Sequence, residues 1–184
     1  QAQRVAHLGS WEWNLQTGQV RWSAELFAIY GVDPNTFVPS IQSFAEYIHP
    51  DDREYVDGII RKIISTGKPV NFDFRIIAAD GSTHILSTVG EVSAFDEHGN
   101  PMLMLGVNQD ITERKRAEEE RERLLNEVQT RAAELDATLN AIADGLIIYD
   151  TDGKVTRVNA VAERIMRYTP EERGAAIPER VRDL

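Results

Sequence analysis

The 184-residue sequence contains no cysteine, which excludes disulfides, thiolate metal centres and a cysteine nucleophile. Histidine is scarce too: His7, His49, His84 and His98 are the only four, and none follows Thr112, so the charged tract beyond it offers no phosphoacceptor imidazole. The sequence lacks a phosphate-cradling G-x-x-x-x-G-K loop and a G-G-D/E-E-F string. No catalytic residue and no enzyme activity are therefore expected within this chain. No apolar run approaches the roughly 18 residues of a membrane span, so no membrane contact is expected within it. Cations are in deficit, with 20 Lys and Arg against 30 Asp and Glu and a formal charge of -10. That balance opposes binding to phosphate backbones, and no nucleic-acid partner is expected. The chain opens on Gln1 without a charged leader, and it reads as a piece of a longer, cytoplasmic protein.

What is present is a clear sequence of structural signals. Residues Gln3 to Leu8 suit a short amphipathic helix. Trp11, Trp13 and Leu15 then alternate with polar residues, the period-two pattern of a half-buried strand. Thr17-Gly18 supplies a turn, and Val20 to Trp22 resumes the strand pattern. Ser23 stands at an N-cap before a short helix closed by Gly31. Ile41 to Ile48 is a second helical segment. His49-Pro50-Asp51-Asp52 opens the longest helix of this half, with Val56, Ile59, Ile60, Ile63 and Ile64 on its apolar face and Gly67 at its end. Three strands follow from Val70, joined by turns at Asp80-Gly81 and His98-Gly99-Asn100. The pattern specifies an α+β fold, a five-stranded antiparallel sheet with helices on one face, followed by a long helix.

From Glu113 to Arg123 nearly every residue is charged, with Lys115–Glu119 and Glu119–Arg123 at i,i+4 spacing. Beyond it Leu125, Val128, Ala132, Leu135, Leu139 and Ile142 recur at alternating spacings of three and four, a coiled-coil seam whose upstream positions are Glu118 and Arg121. A parallel homodimer is the expected partner arrangement, against a solvated helix with no partner. After Gly145 the signals of the first strand pair return: Gly153 answers Gly18, Asn159 answers Ser23 and Pro170 answers Pro34, an internal repeat. The organisation is thus residues 1–112 as one domain, 113–142 as a coiled-coil helix, and 143–184 as the N-terminal part of a second copy that cannot close a sheet of its own.

Together, G-S-W-E-W-N with T-G-Q-V-R-W-S, I-H-P-D-D-R, F-R-I with D-G-S, and G-V-N-Q-D-I-T-E-R-K resemble the PAS sensory-domain family with its PAC motif, over residues 4 to 116 and in part over 135 to 184. The resemblance implies an input module of a bacterial signalling protein, a sensor histidine kinase in the first place and a diguanylate cyclase or other output enzyme in the second. It implies a small-molecule pocket lined by Tyr30, Ile59, Ile63, Phe74, Leu86, Met104 and Asn108, with a closed core as the alternative. Phe72, Ile76, His84, Thr88 and Met102 share the inward side. It also implies a relay in which Asp110 and Thr112 fasten the sheet to the helix, through bonds to nearby backbone or to Arg114. The cofactor is not specified; flavin photochemistry through a cysteinyl adduct is closed by the missing cysteine, and the absence of histidine between Asp51 and Gly67 argues against haem. His49 with Asp51 and Asp52 is explained by capping rather than metal, so no metal site is expected, and His84 reads as a histidine at the solvent edge.

Overall fold

The structure is a computed structural model that describes residues 8–166. The expected helix over Gln3 to Leu8 and the repeat partner Pro170 lie outside the described residues, apart from Leu8, which begins a strand. The chain divides into two compact units, residues 1–119 and 120–184, a different cut from the three-part division that the sequence suggests.

In the first unit, β1 (Leu8–Asn14) and β2 (Val20–Trp22) form the expected hairpin. Ser23 then starts α1 (Ala24–Tyr30) from an extended conformation, its hydroxyl accepting from the Leu26 amide. A Ser40–Ser43 capping box starts α2 (Ile41–Tyr47). The 3-10 turn Pro50–Asp52 leads into α3 (Arg53–Thr66), which stops at Gly67 in the left-handed region, φ 65°, where a side chain would be strained. The meander β3 (Val70–Ile77), β4 (Thr83–Phe95) and β5 (Pro101–Asp110) completes a sheet of order β2-β1-β5-β4-β3, antiparallel throughout.

Strand parity puts Phe72, Phe74 and Ile76, then Leu86, Thr88 and Val92, then Met104 and Asn108 on the buried face, opposite Leu26, Tyr30, Val56 and Ile63 of the helices. Asp52 anchors α3 to this sheet by accepting from the Arg75 amide and from both Nε and Nη2 of its guanidinium. Those bonds hold the Asp52 carboxyl below the usual carboxylate range against the opposing effect of burial.

Helix α4 runs from Thr112 to Ala141 without interruption. Two details differ from the sequence reading. Ile142, placed at the end of the seam, lies one residue past the helix, and the i,i+4 pairs at its start do not form. Arg123 turns to Glu120, with Nη2 at 2.7 Å, and Lys115 approaches Asp73 of β3 at 3.8 Å.

In the second unit, β6 (Ile147–Tyr149) and β7 (Val155–Val158) form a hairpin followed by α5 (Ala160–Met166). Gly153 takes φ 77° in its turn and Gly18 takes φ 72° in the first. Among the described residues no helix is long and apolar enough to cross a membrane.

Candidate functional site

Two places in the first unit are built beyond what folding alone requires: a small interior cavity between sheet and helices, and a polar chain where the sheet passes into α4.

The cavity has a volume of about 60 Å³. Of the seven residues expected to line it, Tyr30, Ile63, Phe74, Met104 and Asn108 do so. Ile59 and Leu86 do not. Ile59 is half-buried on the flank of α3 while Ile60, next in the chain, faces the cavity; Leu86 is fully buried but packs within the core cluster rather than on the cavity wall. Trp11 and Thr88 line it and are not among the expected lining residues, although the family resemblance puts Thr88 on the inward side.

Trp11 decides the cavity's size. Its indole lies directly on Gly106, so closely that a Cβ there would fall 2.2 Å from Trp11 Cζ2, and it also covers Gly90 on the neighbouring strand. Gly106 and Gly90 are register partners, so the sheet has a smooth floor on which the ring rests. From that position Trp11 Nε1 donates to Asn108 Oδ1 at 2.9 Å, and the Thr88 hydroxyl donates to the same oxygen at 3.0 Å. The buried amide carbonyl of Asn108 is thus satisfied from within the protein, where an unpaired one would cost about 1–3 kcal/mol. Drug-sized and cofactor sites occupy about 300–1,000 Å³. A flavin or haem does not fit this cavity with Trp11 in place.

One polar atom remains. Among buried side-chain polar atoms of the described residues, the Tyr30 hydroxyl alone has no hydrogen-bond partner. Burial pushes the pKa of this hydroxyl well above the ordinary phenol range, so the group stays neutral. Tyr30 is held by Trp22, centroids 4.6 Å apart, and by an edge contact from Tyr47 at 5.5 Å.

At the junction, the backbone of Ile85 in β4 grips the start of α4 twice: its amide donates to Thr112 Oγ1 and its carbonyl accepts from the Ile111 amide, both at 2.9 Å. Asp110 Oδ1 accepts from the Thr112 amide at 2.9 Å and from its hydroxyl. Asp110 Oδ2 takes His84 Nδ1 at 2.7 Å, and His84 Nε2 lies 2.8 Å from Ser82 Oγ, which is 2.5 Å from Asp80 Oδ1. Burial by itself would raise the Asp110 carboxyl, but the bonds from Thr112 and His84 outweigh it and hold it below the usual carboxylate range. Arg114, named with Asp110 and Thr112 from the sequence, is exposed, and no bond joins it to Asp110. Helical rotation carries it away from the sheet, and His84 takes the place assigned to it.

Chemically, Ser82, His84 and Asp110 have the spacing of an acyl-transfer triad. The Asp80 carboxylate beside the serine hydroxyl, however, puts negative charge where a tetrahedral intermediate would need donors. The arrangement is a continuous hydrogen-bonded chain from the β3–β4 turn to the first turn of α4. No group of three or more metal-ligating side chains occurs among the described residues.

On α4, Leu125, Val128 and Leu135 are 52%, 64% and 50% exposed, Ala132 is exposed and Leu139 is half-buried, so most of the seam faces solvent in a single chain.

A family model described as PAS fold matches residues 19–108, and one described as PAS domain matches residues 129–184. The chain is 31% identical over 172 residues, 93% of its length, to the Escherichia coli (strain K12) protein named "Probable diguanylate cyclase DgcE". It is 28% identical over 182 residues, 98% of its length, to a blue-light-activated histidine kinase of Brucella ovis. It spans only 15% and 32% of those two proteins. A crystal structure of a sensory box histidine kinase/response regulator from Burkholderia thailandensis E264 superposes with a TM-score of 0.58 at 26% identity, covering 70% of this chain and 95% of that one. With the sheet order, the two model matches and these relatives agreeing, the chain belongs to the PAS family of sensory modules found in signalling proteins.

Proposed function

We propose that this chain is a sensory input and dimerisation module of a cytoplasmic, multidomain sensor histidine kinase, and that it passes a change in its first PAS sheet along α4 to the second PAS segment. The observation that carries this reading is the double fastening of Thr112. Its hydroxyl is shared between Asp110 and the Ile85 amide, so a shift of β5 against β4 moves the first turn of the helix with it. The seam Leu125, Val128, Ala132, Leu135 and Leu139, most of it exposed in a single chain, then joins two copies in a parallel coiled coil. Glu118 and Arg121 upstream leave that end of the pair weakly locked, and two packings close in energy are what a relay requires.

The input is a small molecule at the cavity beside Tyr30, whose unpaired hydroxyl offers one hydrogen bond to a compact neutral guest. A second reading has its own support: Asn108 is already satisfied by Trp11 and Thr88, and a relative named as a cyclase covers nearly the whole chain. In that reading the module is a ligand-free dimerisation spacer of a diguanylate cyclase. Native mass and absorbance of the freshly purified chain separate the two. A dimer carrying a co-purified small molecule supports the sensor; a ligand-free dimer supports the spacer; a monomer removes both. Phosphotransfer from ATP against cyclic dinucleotide formation from GTP, assayed in the intact parent, decides the output.

A further inference from the structure

The polar chain at the sheet-to-helix junction has more acceptors than protons unless His84 carries two. Ionised Asp80 and Asp110 only accept, and Ser82 has one hydroxyl proton. With Ser82 Oγ 2.5 Å from Asp80 Oδ1, that proton is given to Asp80. The imidazole must then donate from Nε2 to Ser82, at 2.8 Å, and from Nδ1 to Asp110, at 2.7 Å, which only the doubly protonated ring can do. In the neutral ring one nitrogen is an acceptor. Either Nε2 takes the Ser82 proton away from Asp80, or Nδ1 turns a lone pair toward the Asp110 carboxylate. One link of the chain opens in both cases.

His84 lines a groove of about 630 Å³ together with Glu25 of α1, Asp80 of the β3–β4 turn, Asp110 of β5, and Glu113 and Arg116 of α4. Among the described residues, four carboxylates and one guanidinium thus line this groove with the ring, and its register partner on β3 is the uncharged Ile76. Imidazole is the side chain whose charge ordinarily changes between about pH 5 and 8.

We propose that His84 is a proton-operated latch: doubly protonated, it ties the β3–β4 turn through Ser82 and Asp110 to the first turn of α4, and loss of one proton frees the junction from that turn. Protons become an input of the module, acting at the relay itself and not through the interior cavity. The inference rests on the reading of Asp110 and Thr112 as the relay.

The test is made on the whole chain by NMR, reading the His84 ring nitrogens and the amide-exchange protection factors of Thr112 and Ile85 from pH 5.5 to 8. The expected result is a ring carrying two protons at the acid end and protection of Thr112 falling about two- to tenfold as one is lost, the loss of one hydrogen bond. His84→Gln flattens this profile. Ser82→Ala flattens it as well, since it removes the competing acceptor while leaving the ring bonded to Asp110, and it keeps the test open if the first variant does not fold. His98→Gln, in the exposed β4–β5 turn, preserves the step. A flat wild-type profile, a step surviving in Ser82→Ala, or a ring with a single proton throughout would overturn the latch. A flat profile together with an output lost in Asp110→Ala would remove the latch and leave the relay standing.

Discussion

Residues 9–26 and 145–162 build the same opening twice with different materials. In the first, the Ser23 hydroxyl accepts from the Ser10 amide and, at 3.4 Å, from the Leu26 amide. In the second, Asn159 Oδ1 accepts from the equivalent amides of Leu146 and Ala162 at 2.8 and 2.9 Å. The Ser23 amide donates to the Ser10 carbonyl, and the Asn159 amide to that of Leu146. Gly9 is pressed against Leu26, and Gly145 against Ala162. The asparagine does more than the serine: its Nδ2 also donates to the carbonyls of Leu139 and Asp144. A hydroxyl can satisfy a cap inside a five-stranded sheet that is held elsewhere. A two-stranded hairpin is marginal alone, and here one fully bonded amide ties it to the end of the helix before it.

The comparison can be broken most severely at Gly106, which has no counterpart in the second hairpin. A Cβ there meets the Val89 carbonyl at 2.6 Å as well as Trp11, so Gly106→Ala should destabilise the first unit by about 3 kcal/mol in urea melts. Next come the caps. Asn159→Ala strands two backbone amides and two carbonyls and should lower local stability of the second unit, read by hydrogen exchange, by about 2 kcal/mol. Ser23→Ala should cost about 1 kcal/mol; equal losses would show that the extra bonds of Asn159 contribute nothing. Smaller again is the glycine pair. Gly9→Ala, with Leu26 Cβ 2.9 Å away, should cost about 1–2 kcal/mol, and Gly145→Ala, with Ala162 Cα at 3.1 Å, less than about 1 kcal/mol.

Acid should also weaken the first unit. Asp52, bonded by Arg75, and Asp110, bonded by Thr112 and His84, have pKa values held below the ordinary carboxylate range, so the stability they contribute is present above about pH 3.9 and lost as pH falls through their folded values. The first unit should therefore lose stability below about pH 4, and Asp52→Asn should flatten that loss.

Much of this fold is legible in the sequence. Alternation in V-N-F-D-F-R-I-I names the buried side of β3 directly, and Ser23, Gly31 and Gly67 mark helix ends by chemistry that local structure dictates. The repeat is legible for the same reason, since a turn glycine and a capping residue recur in order. Ile59 and Ile60 are not separable, because an apolar helix face is wide enough to hold both. The junction is hidden for a different reason. His84 meets Asp110 only because β4 and β5 pair with Leu86 opposite Asp110, and register between strands is not written in either strand alone. Arg114 is near Asp110 in sequence, yet its side chain is exposed and no bond joins the two. Trp11 resting on Gly106 likewise depends on the β1–β5 register, in which the two are partners.

The relay is tested most directly by Asp110→Ala in the intact parent protein, with signalling output and first-unit melting measured side by side. The account predicts a domain that still folds, a first turn of α4 released from β4, and an output that no longer responds to the stimulus. A full response from a folded variant would contradict it.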